Sequence, residues 1–358
     1  MTARRGTRYS FARFLATAML RQSSGAFFRN LAGAVLAVAL ACPVADAETP
    51  LSPGEHNVVL NGVRLWYKVA GTAQPQQAPL LYLHGGPGYN SYSFEKTIGA
   101  RLETHALVIY LDQRGSGRSE RPWDKNYQMS ALVADVEALR VSLGVPRIIP
   151  MGHSFGGTIA LEYAARYPQR VQKLIILDGA ADMPASLGEW QIQIQQKYPD
   201  AWKFALNSTE GKALQDAISK GAQCAITKAA FAVDTLALSR IDQAQFHHEQ
   251  QFHDRRFQTE QDALDAKSGL TNTSELSTAY FGPTSDFPCY RFSAHEKLTM
   301  PVLVVVGRYD GAVGVKSMRS LANQLPHAKF DEFELSAHFP YAEEPDKFER
   351  DLAAFLSG

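Results

Sequence analysis

Met151-Gly152-His153-Ser154-Phe155-Gly156-Gly157 decides how the rest of this chain is read. It follows a short apolar run, Arg147-Ile148-Ile149-Pro150-Met151, and opens a helical pattern over 155–167. A serine framed as Gly-x-Ser-x-Gly between a strand and a helix occupies a sharp turn that flanking side chains would obstruct. The turn lifts the hydroxyl to the carboxyl edge of the sheet, beside the positive end of the helix. Ser154 is therefore the expected nucleophile. The five letters alone also suit an ordinary glycine-rich turn; the strand before them and the helix after them make the difference.

On either side, apolar runs alternate with amphipathic stretches. The runs 79–83, 106–111, 147–151, 171–177, 301–306 and 329–335 have the length and continuity of strands buried on both faces of a parallel sheet. Helical patterns over 131–143, 155–167, 317–325 and 345–356 separate them. In the first, Leu132, Val136 and Leu139 share one face, and Asp135, Glu137 and Arg140 the other. Such alternation implies right-handed crossovers and a doubly wound, mostly parallel α/β sheet. Upstream, 56–69 reads as a hairpin turning at Asn61-Gly62. The alternation stops over 183–297, a Gln-rich, helix-biased stretch that Pro288 and Pro301 punctuate at its exit. The expected organisation is a core in two parts, 48–182 and 298–358, around a helical cap inserted at 183–297.

A serine nucleophile needs a base, and the base needs an orienting acid. Asp310 in Val306-Gly307-Arg308-Tyr309-Asp310-Gly311 and His338 in Ser336-Ala337-His338-Phe339 each follow a strand, so both reach the sheet edge that carries Ser154. A lone aspartate there more often caps a turn, and a lone histidine more often sits on the surface. Their joint placement in the chain order serine, acid, histidine assigns them as partners. Asp242 and Asp286 fall in the irregular insertion, and neither His295 nor His327 directly follows a sheet strand. The oxyanion donors expected are the main-chain N–H of Phe155 and that of Gly86 in His84-Gly85-Gly86-Pro87-Gly88. His84 and His153 are expected to pack, not to react.

Composition narrows the remaining classes. The 358 residues are 45% hydrophobic and 20% charged, an ordinary globular balance, with 36 basic against 36 acidic side chains. No basic field for nucleic acid is expected. Six arginines (Arg4, Arg5, Arg8, Arg13, Arg21, Arg29) precede an apolar stretch from Leu31 to Ala41, and Ala45-Asp46-Ala47 follows. That order is expected of an export signal at 1–47 cleaved before Glu48, with a periplasmic or secreted product; the apolar stretch is too short for a permanent membrane helix. Cys224 and Cys289 would then be the two cysteines left, either bridged or as separate buried thiols. No metal-ligand spacing appears. His247-His248 with His253 is the nearest approach, and a polar surface explains it.

His84-Gly85-Gly86-Pro87-Gly88, Asp112-Gln113-Arg114-Gly115-Ser116-Gly117-Arg118-Ser119, Gly152-His153-Ser154-Phe155-Gly156 and Gly307-Arg308-Tyr309-Asp310 together resemble the proline iminopeptidase family of α/β hydrolases. The resemblance covers about 55–179 and 298–358. It implies a cofactor-free serine hydrolase that removes an N-terminal residue from small peptides or amino-acid amides through an acyl-enzyme. It also implies that Asp112 and Arg114 are scaffolding. Phe155 stands where many members have tryptophan, and the insertion does not reproduce the acidic motif that binds the substrate's amino group. An ammonium must be paired where it is buried; Glu249 and Glu275 are the residues chosen for that role, with Glu189 and Glu260 behind them. The Ser336–Pro345 region also resembles the histidine loop of esterases and lactonases, so a neutral acyl substrate is the alternative. A non-catalytic binding protein of this fold would typically have lost one of the three partners.

Overall fold

In the computed structural model, residues 51–270 and 274–358 are described. The export signal expected at 1–47 lies outside the described residues. The chain enters through a hairpin, β1 (Gly54–Leu60) and β2 (Val63–Gly71), paired antiparallel from Gly54 against Val69 to Leu60 against Val63. Asn61 and Gly62 turn it with positive φ values of 48° and 77°, the backbone that an Asn-Gly hairpin turn requires.

Eight strands form one sheet in the order β1-β2-β4-β3-β5-β6-β7-β8. The other six are β3 (Leu80–Leu83), β4 (Leu107–Asp112), β5 (Ile149–His153), β6 (Leu174–Leu177), β7 (Val302–Gly307) and β8 (Ala328–Phe333). From β4 to β8 every pairing is parallel; only β1 with β2 and β2 with β4 run antiparallel. Strands β3, β5, β6 and β7 are buried at every residue, as their continuous apolar runs require. The sheet is thus the expected mostly parallel, doubly wound one.

Helices cover both faces. Helix α1 (Met129–Ser142) and α2 (Phe155–Arg166) carry Leu132, Val136, Leu139, Ile159 and Tyr163 into one apolar core. On the other face, Tyr82, Tyr110, Phe333, Phe348 and Leu352 form a second.

Between β6 and β7 the described residues hold no strand. There the chain forms α3 (Met183–Lys197), α4 (Pro199–Leu206), α5 (Thr209–Lys220), α6 (Gln223–Leu238), α7 (Gln243–Gln251), α8 (Arg255–Ser268) and α9 (Ser274–Phe281). Asp182, Ser208, Asp242 and Asp254 each accept a main-chain N–H at the start of a helix, so side-chain caps punctuate the run. These helices hold a small core of their own around Ile194, Val233 and Phe246. Cys224 and Cys289, 65 residues apart, are joined by a disulfide, which decides between the two readings of that pair. The bridge ties α6 to the turn Phe287–Cys289. Helices α10 (Val315–Gln324) and α11 (Pro345–Ser357) complete the core.

Candidate active site

At the end of β5 the backbone turns abruptly. Ser154 has φ 54° and ψ −120°, and α2 starts at the next residue. Non-glycine residues rarely adopt such a φ, and it persists here because its surroundings over-determine it. The Ser154 N–H donates to Leu177 O at 3.0 Å, and its carbonyl accepts from Gly157 and Ala180. The flanking glycines are required by close approach. A Cβ on Gly152 would lie 2.2 Å from Gly156 O, and one on Gly156 would lie 2.0 Å from Leu83 O.

Asp310 follows β7 and His338 follows β8, and the structure brings their side chains together. His338 Nδ1 lies 3.0 Å from Asp310 Oδ2 with both residues buried. The other Asp310 oxygen accepts the N–H groups of Ala312 and Val313 at 2.7 and 3.1 Å. Burial pushes the Asp310 carboxyl up, but the charge and hydrogen bond of His338 outweigh it and hold it below the usual range. Ser154 and His338 line the same cavities at the carboxyl edge of the sheet. A serine hydroxyl, an imidazole and a buried carboxylate in this order can pass a proton from oxygen to nitrogen while the carboxylate fixes the tautomer.

Phe155 is the first residue of α2, where N–H groups have no acceptor within the helix. The loop after β3 runs directly against the nucleophile: a Cβ on Gly85 would lie 2.8 Å from Ser154 Cβ. Gly86 has φ 117° and room for no Cβ. Gly86 and Phe155 line one cavity together with Ser154.

The two expected packing histidines are both bound to main chain. His84 Nδ1 meets Gly85 O at 2.9 Å and its Nε2 accepts the N–H of Gln113 at 3.1 Å. His153 Nε2 donates to His338 O at 2.8 Å, and burial, reinforced by the neighbouring His338, pulls its pKa down to about 3. It is neutral at any working pH. Asp112 binds Ser91 and Arg118, and Arg114 makes a two-pronged bond to Asp135 at 2.6 and 2.7 Å. Both therefore hold loops, as the resemblance implied.

Neither Glu249 nor Glu275 lines a cavity that contains Ser154, contrary to expectation. Glu249 pairs with Lys197 at 2.8 Å and with Gln245 at 2.9 Å, in an outer groove that does not contain Ser154. Glu275 pairs with Lys125 and Tyr127, also away from the Ser154 cavities. Glu189 pairs with Lys316. Helical periodicity showed these residues to be polar without showing which helix face meets the core.

Among the described residues of the insertion, the acids that line a cavity together with Ser154 are Asp262 and Asp265, on α8. They line a cavity of about 320 Å³ with Tyr89, Gln261, His248 and the Gly85-Gly86 loop. Tyr89 and Gln261 hydrogen-bond Asp265, and burial raises its carboxyl above the usual range. A second cavity, about 420 Å³, also contains Ser154; Met183, Trp190, Phe231, Leu238, Phe281 and Val313 give it an apolar wall, beside the polar Gln243, His247 and Gln250. Phe155 is locked behind it by edge-on contacts with Tyr280 and Phe287.

Comparison with known proteins agrees with this geometry. The profile described as the alpha/beta hydrolase fold matches residues 78–345. A proline iminopeptidase from Lactiplantibacillus plantarum is 27% identical over 304 residues, covering 83% of this chain and 98% of that one. Among solved structures, a proline iminopeptidase-related protein from Thermus thermophilus superposes with a TM-score of 0.67 at 22% identity, covering 86% of this chain and 98% of its own. An esterase from Exiguobacterium antarcticum superposes with a TM-score of 0.58 at 20% identity, covering 86% and 100%. The two structural likenesses show the fold alone.

Proposed function

The chain belongs to the α/β-hydrolase fold family, as a serine hydrolase similar to the proline iminopeptidases, and from that premise we propose an exported aminopeptidase acting on short peptides or amino-acid amides. Ser154 attacks the scissile carbonyl while His338, oriented by Asp310, takes its proton. The N–H groups of Phe155 and Gly86 receive the oxyanion, each well-aimed donor contributing about 3 kcal/mol. As the tetrahedral centre collapses, the C–N bond breaks and His338 gives the proton to the departing amine. Water then attacks the acyl-serine by the same route and releases the N-terminal residue.

The observation that supports an aminopeptidase is the division of space at Ser154 between an apolar arm and a carboxylate arm. An N-terminal residue carries its ammonium one atom from the scissile carbonyl. Such a charge enters a cavity only against an acid. Burial raises the carboxyl of half-buried Asp265, and a cation beside it would favour its charged form. The apolar arm suits a proline ring or another apolar side chain. It would equally take the acyl chain of a neutral ester or lactone, which is the second reading.

Export rests on the pattern at 1–47, and the Cys224–Cys289 disulfide supports it, since such bridges persist in oxidising compartments. The substrate class is tested by comparing kcat/KM on proline p-nitroanilide and p-nitrophenyl acetate. Anilide turnover is the expected result. Ester turnover with none on the anilide would overturn the aminopeptidase reading and leave the esterase one.

A further inference from the structure

Asp178 directly follows β6, one strand over from Asp310, at the same edge of the sheet. It is fully buried and has φ 44°, so its side chain is held by a backbone that few residues would adopt there. Ligand atoms of Asp178, Asp310 and His338 all lie within 4.8 Å of one another. Two carboxylates this close cannot both ionise away from water.

The hydrogen bonds decide which one keeps the proton. Asp310 accepts three donors: the N–H groups of Ala312 and Val313, and His338 Nδ1. Asp178 accepts one, the N–H of Gly307 at 2.9 Å, on Oδ1. Its Oδ2 is buried with no hydrogen-bond partner, although the side chain lies beside the Asp310 carboxyl. An oxygen in that position is satisfied when it carries hydrogen and donates. The other titratable groups nearby do not change the balance. Glu343 and Asp310 are acids that make a second negative charge costlier, Tyr341 is a neutral phenol, and His153 is neutral.

We propose that Asp178 is a positioning residue, a neutral carboxylic acid that donates its proton to Asp310 and so fixes the carboxylate that orients His338. The set thus contains a fourth member, one bond behind the acid. The idea rests on the reading of Asp310 and His338 as acid and base. Donation from Asp178 spreads the Asp310 charge and holds its plane, so it tunes how strongly that carboxylate retains a protonated His338.

The test compares Asp178→Asn with Asp178→Val. Asparagine keeps both bonds, accepting from Gly307 and donating to Asp310; valine keeps neither. With p-nitrophenyl acetate as probe, Asp178→Asn should hold kcat within about threefold and leave the acid limb of kcat/KM in place. Asp178→Val should lower kcat by roughly tenfold or more and move the acid limb to higher pH. An acid limb displaced to lower pH in Asp178→Asn would mean that an ionised Asp178 had been removed, and would overturn the proposal. Infrared difference spectra of the resting protein at neutral pH need no turnover and guard against a valine variant that does not fold. A protonated-carboxyl C=O band present in the wild type and missing in Asp178→Asn is expected; no such band would refute a neutral Asp178. A protein that shows the band but hydrolyses nothing would contradict the hydrolase reading alone.

Discussion

The main-chain N–H of His338 donates to Gln251 O at 3.0 Å, so the histidine of the site is tied to the last residue of α7 in the insertion. One residue earlier, Gln250 O accepts the N–H of Gly311, next to Asp310, at 2.9 Å. The same two residues of the insertion therefore hold both the acid loop and the base loop. Phe252 continues the contact by stacking on Phe339 at 4.8 Å, and His253 stacks on Tyr309 at 3.9 Å. The insertion lines the cavities at Ser154 and also braces the loops that carry Asp310 and His338.

Glu343 is the hub of that brace. One of its oxygens accepts the N–H groups of His253 and Asp254, both at 2.8 Å, and the other accepts Ala337 at 2.6 Å. Glu343→Ala strands three N–H groups and should cost about 3 kcal/mol of stability while lowering kcat more than it changes KM. Thermal unfolding and steady-state kinetics check this. Unchanged Tm and kcat would mean that the loops hold themselves.

Asp265→Asn separates charge recognition from catalysis. KM for proline p-nitroanilide should rise roughly tenfold or more, and that for p-nitrophenyl acetate should stay within about twofold. Equal losses on both substrates would show that Asp265 supports the fold and binds no ammonium.

Asp234 offers a pH test of stability. It is buried on α6 and burial raises its carboxyl to about 7 from 3.8. A raised acid contributes stability that is fully present below the unfolded value and lost as pH rises through the folded one. Asp234→Asn removes the ionisable group, so it should stabilise the protein by on the order of 2–4 kcal/mol at pH 8 and by little at about pH 4. Denaturant unfolding at the two pH values checks the sign. An equal change at both would show that the charge is not responsible.

The disulfide closes a loop with a sequence separation of 65 between Cys224 and Cys289. Replacing both cysteines by serine should cost about 4 kcal/mol in the chain-entropy model. Reduction of the wild type should give the same loss of Tm. A reduced protein as stable as the oxidised one would indicate that the fold of the insertion does not use the constraint.

The residues legible in the sequence are those at strand ends. Ser154 and Asp310 each follow an apolar run and His338 a half-buried strand of mixed charged and apolar residues, and parallel strands deliver their carboxyl ends to one edge whatever the loops do. Asp178 carries the same signal after Leu177, but that it meets Asp310 is a tertiary matter the sequence does not show. The acids of the insertion were not legible. Glu249 and Asp265 both sit on polar helices, and which faces Ser154 depends on how α7 and α8 dock, a tertiary matter that helical periodicity does not carry. The cysteine pairing stayed open for the same reason, because spacing alone does not say whether α6 meets the turn at Cys289.

The central claim is that Ser154 is the nucleophile of an acyl-enzyme. Its most direct test is mass spectrometry of the protein after exposure to a fluorophosphonate, with peptide mapping of the adduct and Ser154→Ala as the parallel sample. The account predicts one adduct, on Ser154, absent from a Ser154→Ala protein that keeps its fold and turns over nothing. An adduct on another residue, or substantial turnover by Ser154→Ala, would contradict it.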